Sequence, residues 1–125
     1  MVKTNKKILV VEDDKDFLEI LEINFKNNGL SIITARDGEE GLILAEKEKP
    51  DLILSDILMP RMDGIEMAKK IKEKNANIPI IFLTNVSSFN CMSKAIEIAP
   101  SSYIVKSNTS FDKIIAEAKK KLGLE

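Results

Sequence analysis

Histidine and tryptophan are absent from this 125-residue chain, and cysteine and tyrosine occur once each. Without histidine there is no Ser-His or Cys-His nucleophile pair and no imidazole ligand for a metal. The single Cys91 forms no internal disulfide, so a reducing, cytoplasmic setting is expected. No Gly-rich phosphate loop is present, and with no tryptophan and only Tyr103 the chain offers little to a flavin or nucleotide. Excess charge of either sign is missing too. Nineteen basic residues stand against 20 acidic ones, a net charge of −1, which gives no electrostatic footprint for direct nucleic-acid binding or for an anionic membrane. No apolar run approaches the ~20 residues of a membrane span. The polar start Met1 to Lys7 does not read as a signal peptide. Any chemistry here must use carboxylates, hydroxyls and lysines.

What is present suits one domain over 1–125. The 44% of hydrophobic residues is enough for a real core at this length. Five short apolar, β-branched runs alternate with five segments of helical spacing. The first run, Lys7 to Val11, ends in Glu12, Asp13 and Asp14. Phe17, Leu18, Leu21 and Phe25 then recur every three or four residues, and Gly29 follows as a stop. Leu30 to Ala35 is a second strand. A helix over 39–49 has Leu42, Ile43 and Ala45 available for burial before Pro50. The third strand, over 52–54, leads to Asp56 and a loop punctuated by Pro60 and Gly64. A helix over 65–74 is expected to face inward with Ile65, Ala68 and Ile71. Ile78 to Leu83 is a fourth strand ending in Thr84, with Pro79 near its start. A helix from about Ser88 to Ala99 carries Phe89, Met92 and Ile96 on one side and stops at Pro100. Tyr103 to Val105 is a fifth strand ending in Lys106, and residues from about Phe111 to Leu122 form the last helix. The alternation predicts an α/β fold, a (βα)5 doubly wound parallel sheet with right-handed crossovers.

In a parallel sheet all strands point one way, so the polar endings share one edge. Those endings are Glu12/Asp13, Asp56, Thr84 and Lys106. Taken singly, each has a plain explanation. A strand-end carboxylate is usually the cap of the next helix, a threonine there is a β-branched strand residue, and a lysine is solvated. Their conjunction points further. Neighbouring strands lie ~4.8 Å apart, so Asp13 and Asp56 can share a small ion if their strands are adjacent. Clustered carboxylates repel one another unless a cation holds them, and a hard divalent ion such as Mg²⁺ suits oxygen ligands. A free oxygen of Asp56 can then attack phosphorus, with Lys106 and the Thr84 hydroxyl stabilising the transferred group.

The motifs Ile8-Leu-Val-Val-Glu12-Asp13-Asp14, Asp51 to Gly64, Ile80-Ile-Phe-Leu-Thr84 and Tyr103-Ile-Val-Lys106 together resemble the receiver domain of two-component response regulators, over essentially the whole chain. The resemblance implies a flavodoxin-like sheet ordered 2-1-3-4-5. It implies that Asp56 accepts a phosphoryl group from a sensor histidine kinase or phosphotransfer protein. It also implies that Asp13 and Asp56 bind Mg²⁺ with their side chains and Leu58 with its carbonyl, Glu12 acting mainly through a metal-bound water. Thr84 and Tyr103 would be the switch pair, Lys106 would contact the phosphoryl group, and Asp14 would start the first helix. Signalling would change the surface around the fourth helix, fifth strand and fifth helix and reach a downstream protein. No output domain is expected after Leu124.

The chain departs from the pattern at three places. Asn85 stands where a small residue is usual, Ala99-Pro100 where Gly-Ala is usual, and Ser107 where a cis proline is usual. The 106–107 peptide is nevertheless expected to be cis, so that Lys106 points back at Asp56, although a non-proline cis bond costs about 3–4 kcal/mol. Leu58 and Val86, two residues beyond Asp56 and Thr84, are apolar and cannot orient an attacking water, which predicts slow loss of the phosphoryl group. Two rivals remain. One is a pseudo-receiver that only binds proteins, suggested by Asn85 and Ser107. The other is an aspartyl phosphohydrolase, which Ile57 and Leu58 disfavour because no second acid follows Asp56.

Overall fold

A computed structural model describes residues 5–85, 89–98 and 103–124, with the backbone alone for residues 89–91. Five parallel strands form one sheet: β1 (Lys7–Val11), β2 (Ser31–Ala35), β3 (Leu52–Ser55), β4 (Ile80–Thr84) and β5 (Tyr103–Val105), in the order β2-β1-β3-β4-β5. The helices between and after them are α1 (Lys15–Asn27), α2 (Gly38–Glu48), α3 (Gly64–Lys74), α4 (Phe89–Ile98) and α5 (Phe111–Lys121). The doubly wound fold and strand order inferred above are those observed. Among the described residues no helix is long and apolar enough to cross a membrane.

The central strands β1, β3 and β4 are buried on both faces, which is why they read as unbroken apolar runs and not as alternating ones. One face carries Ile8, Val10, Leu52, Leu54, Ile81 and Leu83 against Leu21 and Phe25 of α1 and Ile114, Ile115 and Ala118 of α5. The other carries Leu9, Val11, Ile53, Ile80 and Phe82 against Met67, Ala68 and Ile71 of α3 and Ala95 of α4.

The starts of α1, α2, α3 and α5 are each fixed by a side chain that accepts from the backbone N–H of the third helical residue. Asp14 accepts from Phe17, Asp37 from Glu40, Asp63 from Glu66 and Ser110 from Lys113, satisfying donors that have no partner in the first turn. Helix α2 ends one residue earlier than its periodicity suggests. Lys49 takes a left-handed conformation (φ 48°) directly before Pro50, which excludes a further helical residue.

Three inward faces differ from the sequence reading. Ile43 is 64% exposed, and α2 turns Gly41 with half-buried Leu42, Leu44 and Ala45 to the sheet. Gly41 lets the helix come so close that a Cβ there would meet Val11 and Met67. On α3 the fully buried residues are Met67 and Ala68, with Ile71 nearly so and Ile65 only half-buried. On α4 Ala95 is buried while Ile96 is 43% exposed. The expectations for Ser88, the Phe89 side chain and Ala99-Pro100 lie outside the described residues.

Candidate functional site

The carboxyl edge of the sheet is built from backbone contacts that leave little freedom. Glu12 follows β1 and its N–H donates to Ala35 O at 2.9 Å, which extends the ladder one residue past the strand. Asp56 follows β3 in the same way, donating to Val11 O at 3.0 Å. Adjacent strands therefore deliver two carboxylates to one place. The Asp56 peptide is held from its other side as well. Ser55 Oγ donates to Asp56 O at 2.7 Å, and Gly64 N–H donates to Ile57 O at 2.8 Å, which ties the start of α3 to the residue after Asp56. The loop between β3 and α3 is further pinned by an Arg61–Asp37 contact at 3.4 Å.

Lys106 lies at the end of β5 and crosses to these acids. Its Nζ is 2.5 Å from Glu12 Oε1 and 3.2 Å from Asp56 Oδ2, and its side chain is 9% exposed. The second Glu12 oxygen accepts from Asp14 N–H at 3.0 Å, and the second Asp56 oxygen accepts from Ile57 N–H at 2.7 Å. Burial pushes the Glu12 carboxyl up from its ordinary range, only partly offset by the Lys106 and Asp14 hydrogen bonds. Burial would also lower the Lys106 ammonium, but its hydrogen bond to Glu12 and the charge of Asp56 outweigh that and leave it raised. The ammonium is thus held charged between two carboxylates.

The 106–107 peptide is not cis. No cis bond occurs among the described residues, and Lys106–Asn108 form a single turn of 3-10 helix. Ser107 lacks the ring that makes a cis bond cheap. The turn, together with the two acids, aims Lys106 at Asp56 through a trans bond.

Glu12, Asp13 and Asp56 each offer an oxygen, and the three atoms lie within 4.8 Å of one another. Hard carboxylate oxygens at this spacing fit a small divalent cation such as Mg²⁺. Asp13 is exposed, which leaves the cluster open on one side for the waters that Mg²⁺ tends to keep. Asp14 is turned away to cap α1. Thr84 is buried at the end of β4. In the β4–β5 register Thr84 faces Val105 and Phe82 faces Tyr103, so Thr84, Phe82 and Tyr103 share one sheet face, and half-buried Tyr103 packs against the core there. The Leu58 side chain is 63% exposed, and Val86 lies outside the described residues.

Two contributors escaped the sequence reading. Ser55 read as a strand residue, yet it anchors the Asp56 carbonyl. Phe17 read as a core position of α1, yet its ring centroid is 4.4 Å from Lys106 Nζ. No local signal joins positions 17 and 106, because only the fold brings α1 under the end of β5.

Residues 8–119 match the family model of the response regulator receiver domain. The chain belongs to that family. This receiver is 48% identical over 80 residues to the alkaline phosphatase synthesis transcriptional regulatory protein PhoP of Bacillus subtilis, which covers 64% of this chain and 33% of that protein. It is 37% identical over 106 residues to the probable transcriptional regulator ycf27 of Porphyra purpurea, 85% of this chain and 43% of that one. The receiver thus spans about a third to two fifths of the length of these curated relatives. Among solved structures it is similar to the receiver domain of the Francisella response regulator 1452, with a TM-score of 0.87 and 30% identity, covering 95% of this chain and 98% of that one. It is also similar to a CheY-like receiver domain protein from Methanospirillum hungatei JF-1, with a TM-score of 0.90 and 27% identity over 96% and 95% of the two chains. The family places the chain in two-component signalling.

Proposed function

We propose that this receiver is a phosphoacceptor switch in which Asp56 takes a phosphoryl group from a sensor histidine kinase or phosphotransfer protein in the cytoplasm. The observation that carries the reading is the approach of Lys106 Nζ to Asp56 Oδ2, 3.2 Å, beside three carboxylates spaced for a cation. Glu12, Asp13 and Asp56 would hold Mg²⁺ together with the Leu58 carbonyl, Glu12 through a water. When bound, Mg²⁺ neutralises the acids and the incoming phosphoryl oxygens.

The chain's own residues do the rest. Asp56 needs no general base, since its carboxylate attacks as the anion. A new P–O bond forms to an Asp56 oxygen, the donor's bond to phosphorus breaks, and the leaving group keeps the electron pair. The Ile57 N–H restrains one Asp56 oxygen and so orients the other. The Lys106 ammonium offsets the negative charge on the transferred group. The Thr84 hydroxyl donates to one phosphoryl oxygen, and its movement makes room for Tyr103 to turn inward. The phosphoryl contacts bias a two-state equilibrium whose readout is the surface of α4, β5 and α5, presented to a downstream protein. The domain assists its own phosphorylation and dephosphorylation without turning over a separate substrate.

Incubation with acetyl phosphate and Mg²⁺ tests this directly. Wild type should gain one phosphate by intact mass, and Asp56→Asn should gain none. An unlabelled wild type, or equal labelling of Asp56→Asn, rejects the reading and favours a pseudo-receiver that acts through protein contact alone.

A further inference from the structure

We propose that Phe17 is a positioning residue for the phosphoacceptor site, holding the Lys106 ammonium against Asp56 through the face of its ring. The inference rests on the phosphoacceptor reading for its kinetic consequence and on geometry for its placement.

The 3-10 turn sets the backbone direction of Lys106 but leaves the rotamers of its long side chain free. The peptide after it is trans, and the next residue is Ser107. Its direction must therefore come from what surrounds the ammonium. Two sides are the carboxylates of Glu12 and Asp56. A third is the ring of Phe17, with Nζ 4.4 Å from the centroid, well inside the distance at which a cation is attracted to an aromatic face. The ammonium is largely removed from water, where such an attraction is strongest.

The ring is itself fixed. Phe17 lies in the first turn of α1, where Asp14 accepts from its N–H at 3.2 Å. Its ring packs against Phe111 of α5, with centroids 5.3 Å apart and planes tilted by 36°, and both rings rest on the core. Asp14 is adjacent to Asp13, so one short segment supplies a cation ligand, the helix cap and the platform for the lysine. Without the ring, the two carboxylates still attract Lys106, but nothing on the α1 side stops the long side chain from swinging out of line with the Asp56 oxygen.

The test has two arms. In the first, the Lys106 εCH₂ protons are assigned by NMR with Lys106→Arg as the control. A ring face so near shifts them upfield of the other lysines, and Phe17→Leu removes the shift while Phe17→Tyr keeps it. Unshifted Lys106 protons in wild type overturn the placement. In the second, labelling rates from acetyl phosphate are measured well below each variant's unfolding temperature. Phe17→Leu should be slower by about five- to thirtyfold, the loss of a desolvated cation–aromatic contact. Phe17→Tyr should restore the rate, and replacing Phe17 by ring-fluorinated phenylalanines of nearly the same shape should lower it stepwise. A shifted Lys106 with an unchanged rate in Phe17→Leu, or a rate indifferent to fluorination, overturns the positioning role. If wild type takes no phosphate although the ring-current shift is present, the phosphoacceptor reading fails and the contact of Phe17 with Lys106 stands.

Discussion

The carbonyl oxygen of Asp56 occupies the space a Cβ on Gly64 would need. Gly64 opens α3 and its N–H is already committed to Ile57 O at 2.8 Å, so the helix start cannot retreat. On the other flank of the same loop Gly38, at the start of α2, lies where a Cβ would come within 2.8 Å of Met62 Cβ. Gly64→Ala is expected to push the Asp56 peptide off its place, lowering unfolding free energy by about 1–3 kcal/mol, as overpacking does, and slowing labelling by acetyl phosphate. Urea unfolding and intact mass check both effects. Wild-type behaviour in both would show that the loop yields more easily than this packing implies.

Removing the ammonium leaves two buried acids facing each other. Lys106→Met should cost about 3–5 kcal/mol, the usual effect of breaking a buried pair from one side. Added Mg²⁺ should recover more stability in this variant than in wild type, because a cation can replace the lost charge among the acids. Urea midpoints with Mg²⁺ and with chelator compare the two, and equal recovery in both proteins would argue against an ion at this cluster.

Lys106 fixes one pH dependence. Its folded value lies above the ordinary lysine value of about 10.4. The folded state therefore holds this proton more tightly than the unfolded chain. The resulting stability is fully present below the unfolded value and is lost as pH rises through the folded one. The Lys106 ¹³Cε resonance should titrate after those of exposed lysines, and no stability should be lost through this group between pH 8 and 10. An early titration would mean that burial outweighs its two acids.

Asp37 has two partners of unequal weight. Its carboxylate caps α2 through Glu40 N–H at 2.9 Å and also meets exposed Arg61 at 3.4 Å. Asp37→Ala should cost about 1 kcal/mol, as lost caps do. Arg61→Ala should cost a few tenths, as surface pairs do. Asp37→Asn, which keeps the cap, should lie close to Arg61→Ala. A reversed order would transfer the weight to the ion pair.

Leu58 projects into solvent two residues beyond Asp56. An apolar side chain there cannot orient a water at the phosphoryl group, so the phosphorylated form should be long-lived. Leu58→Asn and Val86→Gln together should shorten its half-life in a time course of intact mass. An unchanged half-life would remove these two positions from the control of dephosphorylation.

Much of this was legible because the central strands, buried on both faces, read as unbroken apolar runs, and because four of the five strands end at a polar residue that no core needs. That logic located Glu12, Asp13, Asp56, Thr84 and Lys106 at one edge. It failed where tertiary packing chooses among near-equal positions. Ile43 is exposed because Gly41 brings α2 so close that the smaller face turns inward. Met67 was passed over in favour of Ile65 because each stands at helical spacing from a buried residue, Ile65 three before Ala68 and Met67 four before Ile71. The cis bond was expected from where Lys106 must point, but a 3-10 turn and the partners of the ammonium satisfy the same demand. Contacts between distant elements, such as Phe17 with Lys106, leave no trace in local pattern.

The capping arrangement has an electrical consequence. The helices that follow the parallel strands begin at the edge where Asp56 lies. Their first turns carry Asp16, Glu39, Glu40, Glu66 and Asp112, and their last turns carry Lys26, Lys47, Lys72, Lys74 and Lys119 to Lys121. Each of these charges opposes the partial charge of its own helix end, acids at the positive first turns and lysines at the negative last turns, a contribution of about 0.3–1 kcal/mol apiece at low salt. Added salt should screen these end effects and lower the unfolding free energy accordingly.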